Sequence, residues 1–226
     1  MAKAPEVGLV KTRLQPYLTP SEAATLYECF LADTVAKMRK LERSDHWIAF
    51  SPEGKDYFRR VFMKSRLLAQ RGRDLGERVH HVFVDLFQMG YKEVVIAGSD
   101  SPTMPLASLD QAYHHLRGQE SRVVLGPSSD GGYYLVGLTR PAEGLFRNIP
   151  WSTEEVLEST MARAKELGLK IVLLPPAFDI DVAKDLMRLW NDLKGSHQLQ
   201  VQAPKTYAYL RHLLSDKTHA SRNKPV

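Results

Sequence analysis

Apolar residues recur along this chain at two spacings, and each spacing marks a kind of element. Between Thr19 and Leu41 the apolar positions Ala23, Tyr27, Phe30, Leu31, Val35 and Met38 fall on one face of a helix. Thr19 precedes them as a cap, Pro20 takes the first helical position and Glu22 completes a capping box. The stretch 74–90 repeats this scheme, with Asp74 as cap, Glu77 three residues on and Gly90 as its stop. Helices are likewise expected at 106–117, at 182–193 and from 204 to 214. Another is expected at 152–168, where Ser152 and Glu155 form a third capping box and Gly168 ends it. Short apolar runs at 46–51, 93–99, 122–127, 131–138 and 170–176 read as strands. The run at 93–99, EVVIAGS, is the pattern of a strand covered on both faces in a parallel sheet. Strands alternating with helices predict an α/β fold, with one domain over 1–214 built on a mostly parallel mixed sheet flanked by helices. The polar, aperiodic end from 215 to 226 is expected to be a flexible tail.

Composition narrows the class. The chain has 226 residues, 43% hydrophobic and 25% charged, as an ordinary globular protein does. Cys29 is the single cysteine, which excludes an intramolecular disulfide and argues against a cysteine-based zinc site. No apolar run is long enough to span a bilayer, and the opening residues lack the apolar core of a signal peptide, so the cytoplasm is the expected compartment. Part of the net charge of +5 comes from the tail, where Lys217, Arg222 and Lys224 stand against Asp216. A small phosphorylated substrate needs only a few placed cations, and nucleic acid is not an expected partner.

In open α/β sheets ligands bind beyond the carboxyl ends of the strands, and three loops stand out, with the 126–138 stretch beside them. KAPEVGLVKTRL, 3–14, gathers Lys3, Lys11 and Arg13 around Gly8, a set suited to phosphate oxygens, although the spacing of a P-loop is absent. GSDSP, 98–102, puts Asp100 just past a buried strand. FDIDVAKDL, 178–186, alternates Asp179 and Asp181, which on extended chain face the same way; Asp181 reads equally as the cap of the next helix. Carboxylates with few histidines suit Mg²⁺ or Mn²⁺ rather than zinc. GPSSDGGYYLVGL, 126–138, places Asp130, Gly131 and Gly132 between two strands, either as a plain hairpin turn or as backbone open to close approach by a ligand. The pairs His80–His81 and His114–His115 read as surface or boundary positions, Cys29 as a small core residue and Trp190 as packing.

These segments, together with AQRGRDLGERV and PWST, occur in an order that resembles a bacterial and archaeal family of glycosyltransferase-like proteins, the radical-SAM/selenodomain-associated transferases. That family belongs to the nucleotide-diphospho-sugar transferase superfamily, with the GT-A fold. VKTRL, DLGERV, GSDSP and DIDVAKDL are also similar to segments of 2-phospho-lactate guanylyltransferases, which share the fold. The resemblance runs from about residue 2 to about residue 190. It implies that Lys11 and Arg13 contact nucleotide phosphates, with Lys3 and Gly8 in the loop that wraps the nucleotide. Gln70, Asp74, Leu75 and Gly76 would lie near the base or ribose. Asp100 would be the central metal ligand, joined by Asp179 or Asp181. Asp130, Gly131 and Gly132 would line the acceptor side beside Trp151 and Ser152, with Asp130 the candidate base.

The implied reaction is metal-dependent transfer of a sugar from a nucleotide sugar to a small acceptor. Nucleotidyl transfer from a nucleoside triphosphate to a phosphorylated small molecule is the alternative, and a nucleotide-binding protein without turnover is a third reading. Members of this fold begin with an apolar strand leading into the basic loop, whereas here Met1-Ala2-Lys3 stands in its place. The expectation is a start codon assigned too far downstream, or else a missing first strand.

Overall fold

The computed structural model describes residues 1–42, 44–118 and 121–222, with side chains to Ser215. In chain order the helices are α1 (Pro20–Met38), α2 (Lys55–Val61), α3 (Leu75–Gln88), α4 (Leu106–Leu116), α5 (Val156–Glu166), α6 (Ala183–Gly195), α7 (His197–Gln202) and α8 (Pro204–Arg222). The strands are β1 (Trp47–Phe50), β2 (Arg66–Ala69), β3 (Val94–Ala97), β4 (Arg122–Pro127), β5 (Tyr133–Leu138) and β6 (Lys170–Leu173). The chain divides into two compact units. The first holds Met1–Ala4, Ser44–Gly98 and Met104–Asp179, and the second Pro5–Arg43, Ser99–Thr103 and Ile180–Val226.

All the strands lie in the first unit. β1 and β2 pair in parallel, while a second sheet runs β3-β5-β4-β6. β4 and β6 are parallel, but β5 returns from β4 as a hairpin and wedges between β4 and β3, so β3 pairs antiparallel. Val123, Leu125, Val136 and Leu138 from this sheet meet Val79, Phe83 and Leu86 of α3 in the core. Phe83 stacks on Phe146 with rings 5.9 Å apart. At the chain start Ala2 donates to the Ala49 carbonyl and accepts from Ser51, and the Met1 ammonium donates to the Ala97 carbonyl at 2.6 Å.

Local chemistry sets several helix ends. Thr19 and Glu22 form the full capping box of α1, and Asp74 accepts the Glu77 amide at 2.8 Å to start α3. Gly90 and Gly168 take positive φ, +94° and +66°, just past the helices they close. Ser152 departs from its expected role. It is itself left-handed, with φ +68°, and α5 begins only at Val156. The Thr153 hydroxyl donates to the Pro150 carbonyl and accepts the Glu155 amide, so a side-chain-closed turn takes the place of the capping box. α8 continues to Arg222, through the first part of the segment expected to be a tail, and residues 223–226 lie outside those described. Among the described residues no helix is long and apolar enough to cross a membrane.

Candidate functional site

In the second unit, Lys11 sits at the left-handed start of a short 3-10 turn, Thr12–Leu14, with φ 47° and ψ 38°. A non-glycine residue held there is strained and marks a position the surroundings over-determine. Its side chain is 6% exposed, and the ammonium lies 2.5 Å from Asp100 Oδ1 and 3.0 Å from Asp181 Oδ1. Arg13 approaches the other oxygen of Asp181 at 3.6 Å. Burial by itself would depress the Lys11 ammonium, but the charges of Asp100 and Asp181, and their hydrogen bonds to it, hold it above the ordinary lysine value.

Each member is fixed by local structure. The backbone at Asp181 and Val182 donates to Asp185 Oδ2, at 3.1 and 3.0 Å. Asp185 therefore secures the start of α6, and the Asp181 carboxylate is not its cap. Asp100 lies on the Ser99–Thr103 loop, which helix α1 anchors at two points. The Tyr27 hydroxyl lies 2.9 Å from Ser99 Oγ, and Lys37 Nζ donates to the Pro102 carbonyl at 2.6 Å. The Asp100 carbonyl also accepts the Ile180 amide at 3.2 Å, tying the two acidic loops together. Tyr27 and Lys37 escaped the sequence reading as site-forming residues. Phe30, Thr34, Lys37 and Leu41 follow the spacing of one helix face, so a lysine on an apolar stripe was the available signal.

Two carboxylates converging on one buried cationic atom form a donor set that fits a divalent cation, the ammonium standing where such an ion's charge would be needed. Magnesium sites commonly use one or two carboxylates and draw the remaining oxygens from substrate phosphates and water. Among the described residues no three histidine, cysteine, aspartate or glutamate side chains are grouped closely enough to hold a metal alone. Of Asp179 and Asp181, it is Asp181 that joins Lys11.

The first unit carries the other expected site residues except Gly8. Gln70 is buried, and its side-chain amide donates to the carbonyls of Ala49 at 2.7 Å and Ala2 at 3.3 Å, a structural duty that ties the chain start to β1. Asp74 caps α3 and Leu75 is exposed. A Cβ on Gly76 would lie 2.4 Å from the Phe146 carbonyl oxygen and 2.9 Å from Trp151 Nε1, so this glycine admits the chain's own backbone and indole. Trp151 also packs edge-on to Tyr133, with centroids 6.3 Å apart. Lys3 is exposed, and Gly8, in the second unit, has φ +83° between the exposed side chains of Val7 and Leu9.

Asp130 tips the β4–β5 hairpin. Its Oδ1 accepts the Gly132 amide at 3.0 Å and the Ser128 hydroxyl, an arrangement that orients the carboxylate while leaving the residue exposed. The close approach expected at Gly131 is made by the protein itself. A Cβ there would fall 2.2 Å from the Glu154 carbonyl oxygen, and the Gly131 carbonyl accepts the Leu157 amide. The stretch is thus a hairpin, and at Gly131 the backbone that comes near is the protein's own and not a ligand.

This fold is shared with solved structures. A "putative nucleotide-diphospho-sugar transferase" from Desulfovibrio desulfuricans G20 matches with a TM-score of 0.86 and 32% identity, over 93% of this chain and 91% of that one. A 4-diphosphocytidyl-2C-methyl-D-erythritol synthase matches with a TM-score of 0.50 and 14% identity, over 71% of this chain and 88% of that one. The fold is accordingly an α/β arrangement of the GT-A-like, nucleotide-sugar transferase type. No curated protein sequence gives a significant match. Residues 34–153 match the family described as uncharacterized protein conserved in bacteria, DUF2064, and the chain belongs to that family.

Proposed function

We propose that this protein is a cytoplasmic, metal-dependent transferase that moves a sugar from a nucleotide sugar to a small acceptor, as its resemblance to the radical-SAM-associated transferases implies. One observation carries the reading: a buried lysine held between two aspartates at the edge of a glycine-containing basic loop, with an arginine beside it. Lys11 and Arg13 donate to phosphate oxygens, and Asp100 and Asp181 hold Mg²⁺ or Mn²⁺. When bound, that ion neutralises charge on the leaving diphosphate. The acceptor hydroxyl bonds to the sugar carbon as the bond to the diphosphate breaks. In this reading the exposed Asp130 carboxylate takes the hydroxyl proton, and Trp151, Ser152 and the hairpin glycines serve the acceptor. The similarity to the Desulfovibrio protein, at 32% identity over most of both chains, supports transferase chemistry in the coarse sense.

Ligand that binds only the folded chain raises its stability, by about 2.7 kcal/mol at a hundredfold excess over the dissociation constant. Thermal unfolding with a panel of nucleotide sugars and nucleoside triphosphates, each with Mn²⁺ or with EDTA, tests the proposal on wild type and Asp100→Ala. A metal-dependent rise with a nucleotide sugar, lost in the variant, is the expected result. A rise confined to a triphosphate would replace glycosyl with nucleotidyl transfer. No rise with any of them would refute the reading.

A further inference from the structure

The Lys11 ammonium and a divalent ion are drawn to the same two oxygens. Asp100 Oδ1 and Asp181 Oδ1 both point at Nζ, at 2.5 and 3.0 Å, and the lysine side chain is almost wholly buried. Its backbone is pinned in the left-handed region, so the placement is built into the turn rather than reached by a swinging surface chain. Arg13 lies on Asp181 Oδ2 and supplies further positive charge at the edge of the pair. Two cations a few ångströms apart repel strongly away from bulk water. The ammonium and a divalent ion therefore cannot both occupy these two oxygens.

We propose that Lys11 determines the cation affinity of the Asp100–Asp181 pair, holding it as an internal cation that a divalent ion must displace. Displacement frees the ammonium for the phosphates that arrive with the ion. Metal and nucleotide then bind cooperatively, since each relieves a cost that the other meets alone. This rests on the proposed function for the nucleotide's part, but the exchange of cations is a property of the chain with metal alone.

Binding of Mn²⁺ alone, read from the electron paramagnetic resonance signal of the free ion, tests it on the full chain. The proteins are wild type, Lys11→Met, Asp100→Asn and the double variant. Lys11→Met is expected to bind Mn²⁺ about tenfold tighter than wild type or more, and the gain is lost when Asp100→Asn is added. Equal affinity of wild type and Lys11→Met overturns the exchange. A gain that survives in the double variant also overturns it, and removes the ion from this aspartate pair in the proposed function as well. Should Lys11→Met fail to fold, wild type supplies a second readout. Acetylation of Lys11 by acetic anhydride, followed by peptide mass spectrometry, is expected to be slow without metal and several-fold faster at saturating Mn²⁺. A rate that does not rise with Mn²⁺ overturns the exchange.

Discussion

Lys37 shows how one residue can couple the site to stability. It is 4% exposed on the buried face of α1, and its Nζ donates to Pro102, two residues from Asp100. Burial pushes its ammonium down from 10.5 to about 8, with Asp33 opposing the fall and Lys40 adding to it. Asp33 is itself engaged, since its two oxygens accept the Lys205 and Thr206 amides at the start of α8. Below about pH 8 folded and unfolded chains both keep the Lys37 proton, and the group adds no pH dependence. From there to pH 10.5 the folded chain has released a proton that the unfolded chain still binds, so this residue makes stability rise with pH. The full gain is roughly 3 kcal/mol for a shift of this size. Urea unfolding of wild type and Lys37→Met at a series of pH values checks it. The stability of wild type relative to the variant is expected to climb between pH 8 and 10, and a flat difference would mean that the ammonium is not desolvated.

At the scale of elements, the β4–β5 hairpin makes the sharpest demand. Gly131 has φ +86° and its Cα faces the Glu154 backbone, whereas the nearest atoms to a Cβ on Gly132 are side-chain oxygens of Asp130 and Ser128 at 3.3 Å. Gly131→Ala combines a left-handed penalty of about 1–2 kcal/mol with a clash against backbone, and about 3 kcal/mol or more is expected. Gly132→Ala meets only side-chain atoms that can shift, and costs less. Urea midpoints of the two variants decide the matter, and a loss below about 1 kcal/mol for Gly131→Ala would mean that the 154–157 segment yields. Much of this level was legible in the sequence. Thr19 with Glu22, Asp74, Gly90 and Gly168 work through bonds between near neighbours, and they mark their helices correctly. Ser152 and Glu155 have the same spacing, yet Thr153 closes a turn first, a competition that spacing does not record. β2 is four residues, RLLA, set among basic neighbours, and α2 and α7 have seven and six residues. Such short elements owe their form to tertiary packing more than to any periodic pattern.

The whole molecule hides more from its sequence than its elements do. Lys11, Arg13, Asp100 and Asp181 were readable as polar residues beyond apolar runs, but their pairing belongs to loops 80 or more residues apart. Asp185 takes the helix start and leaves the Asp181 carboxylate to meet Lys11, an arrangement made in three dimensions. The division into two units also left no mark, because the chain passes between them at five points within short loops that lack linker composition. This interleaving has a consequence for unfolding. The middle piece of the second unit is five residues, Ser99–Thr103, held at both ends by β3 and α4 of the first. If those elements unravel, the loop that carries Asp100 loses its fixed ends, and the Lys11 cluster goes with it. The tryptophans allow each unit to be followed separately, since Trp47 and Trp151 lie in the first and Trp190 in the second. Fluorescence of Trp190→Phe reports the first unit, and that of the Trp47→Phe/Trp151→Phe double variant the second. Each urea transition is compared with the circular dichroism of the same variant, which cancels any stability lost through the substitutions. Coincidence of the two probes in both variants is expected from a chain threaded in this way. A fluorescence midpoint displaced from the circular dichroism midpoint, in opposite directions in the two variants, would show that one unit stands when the other has unfolded, and that the five crossings do not bind them into one cooperative system.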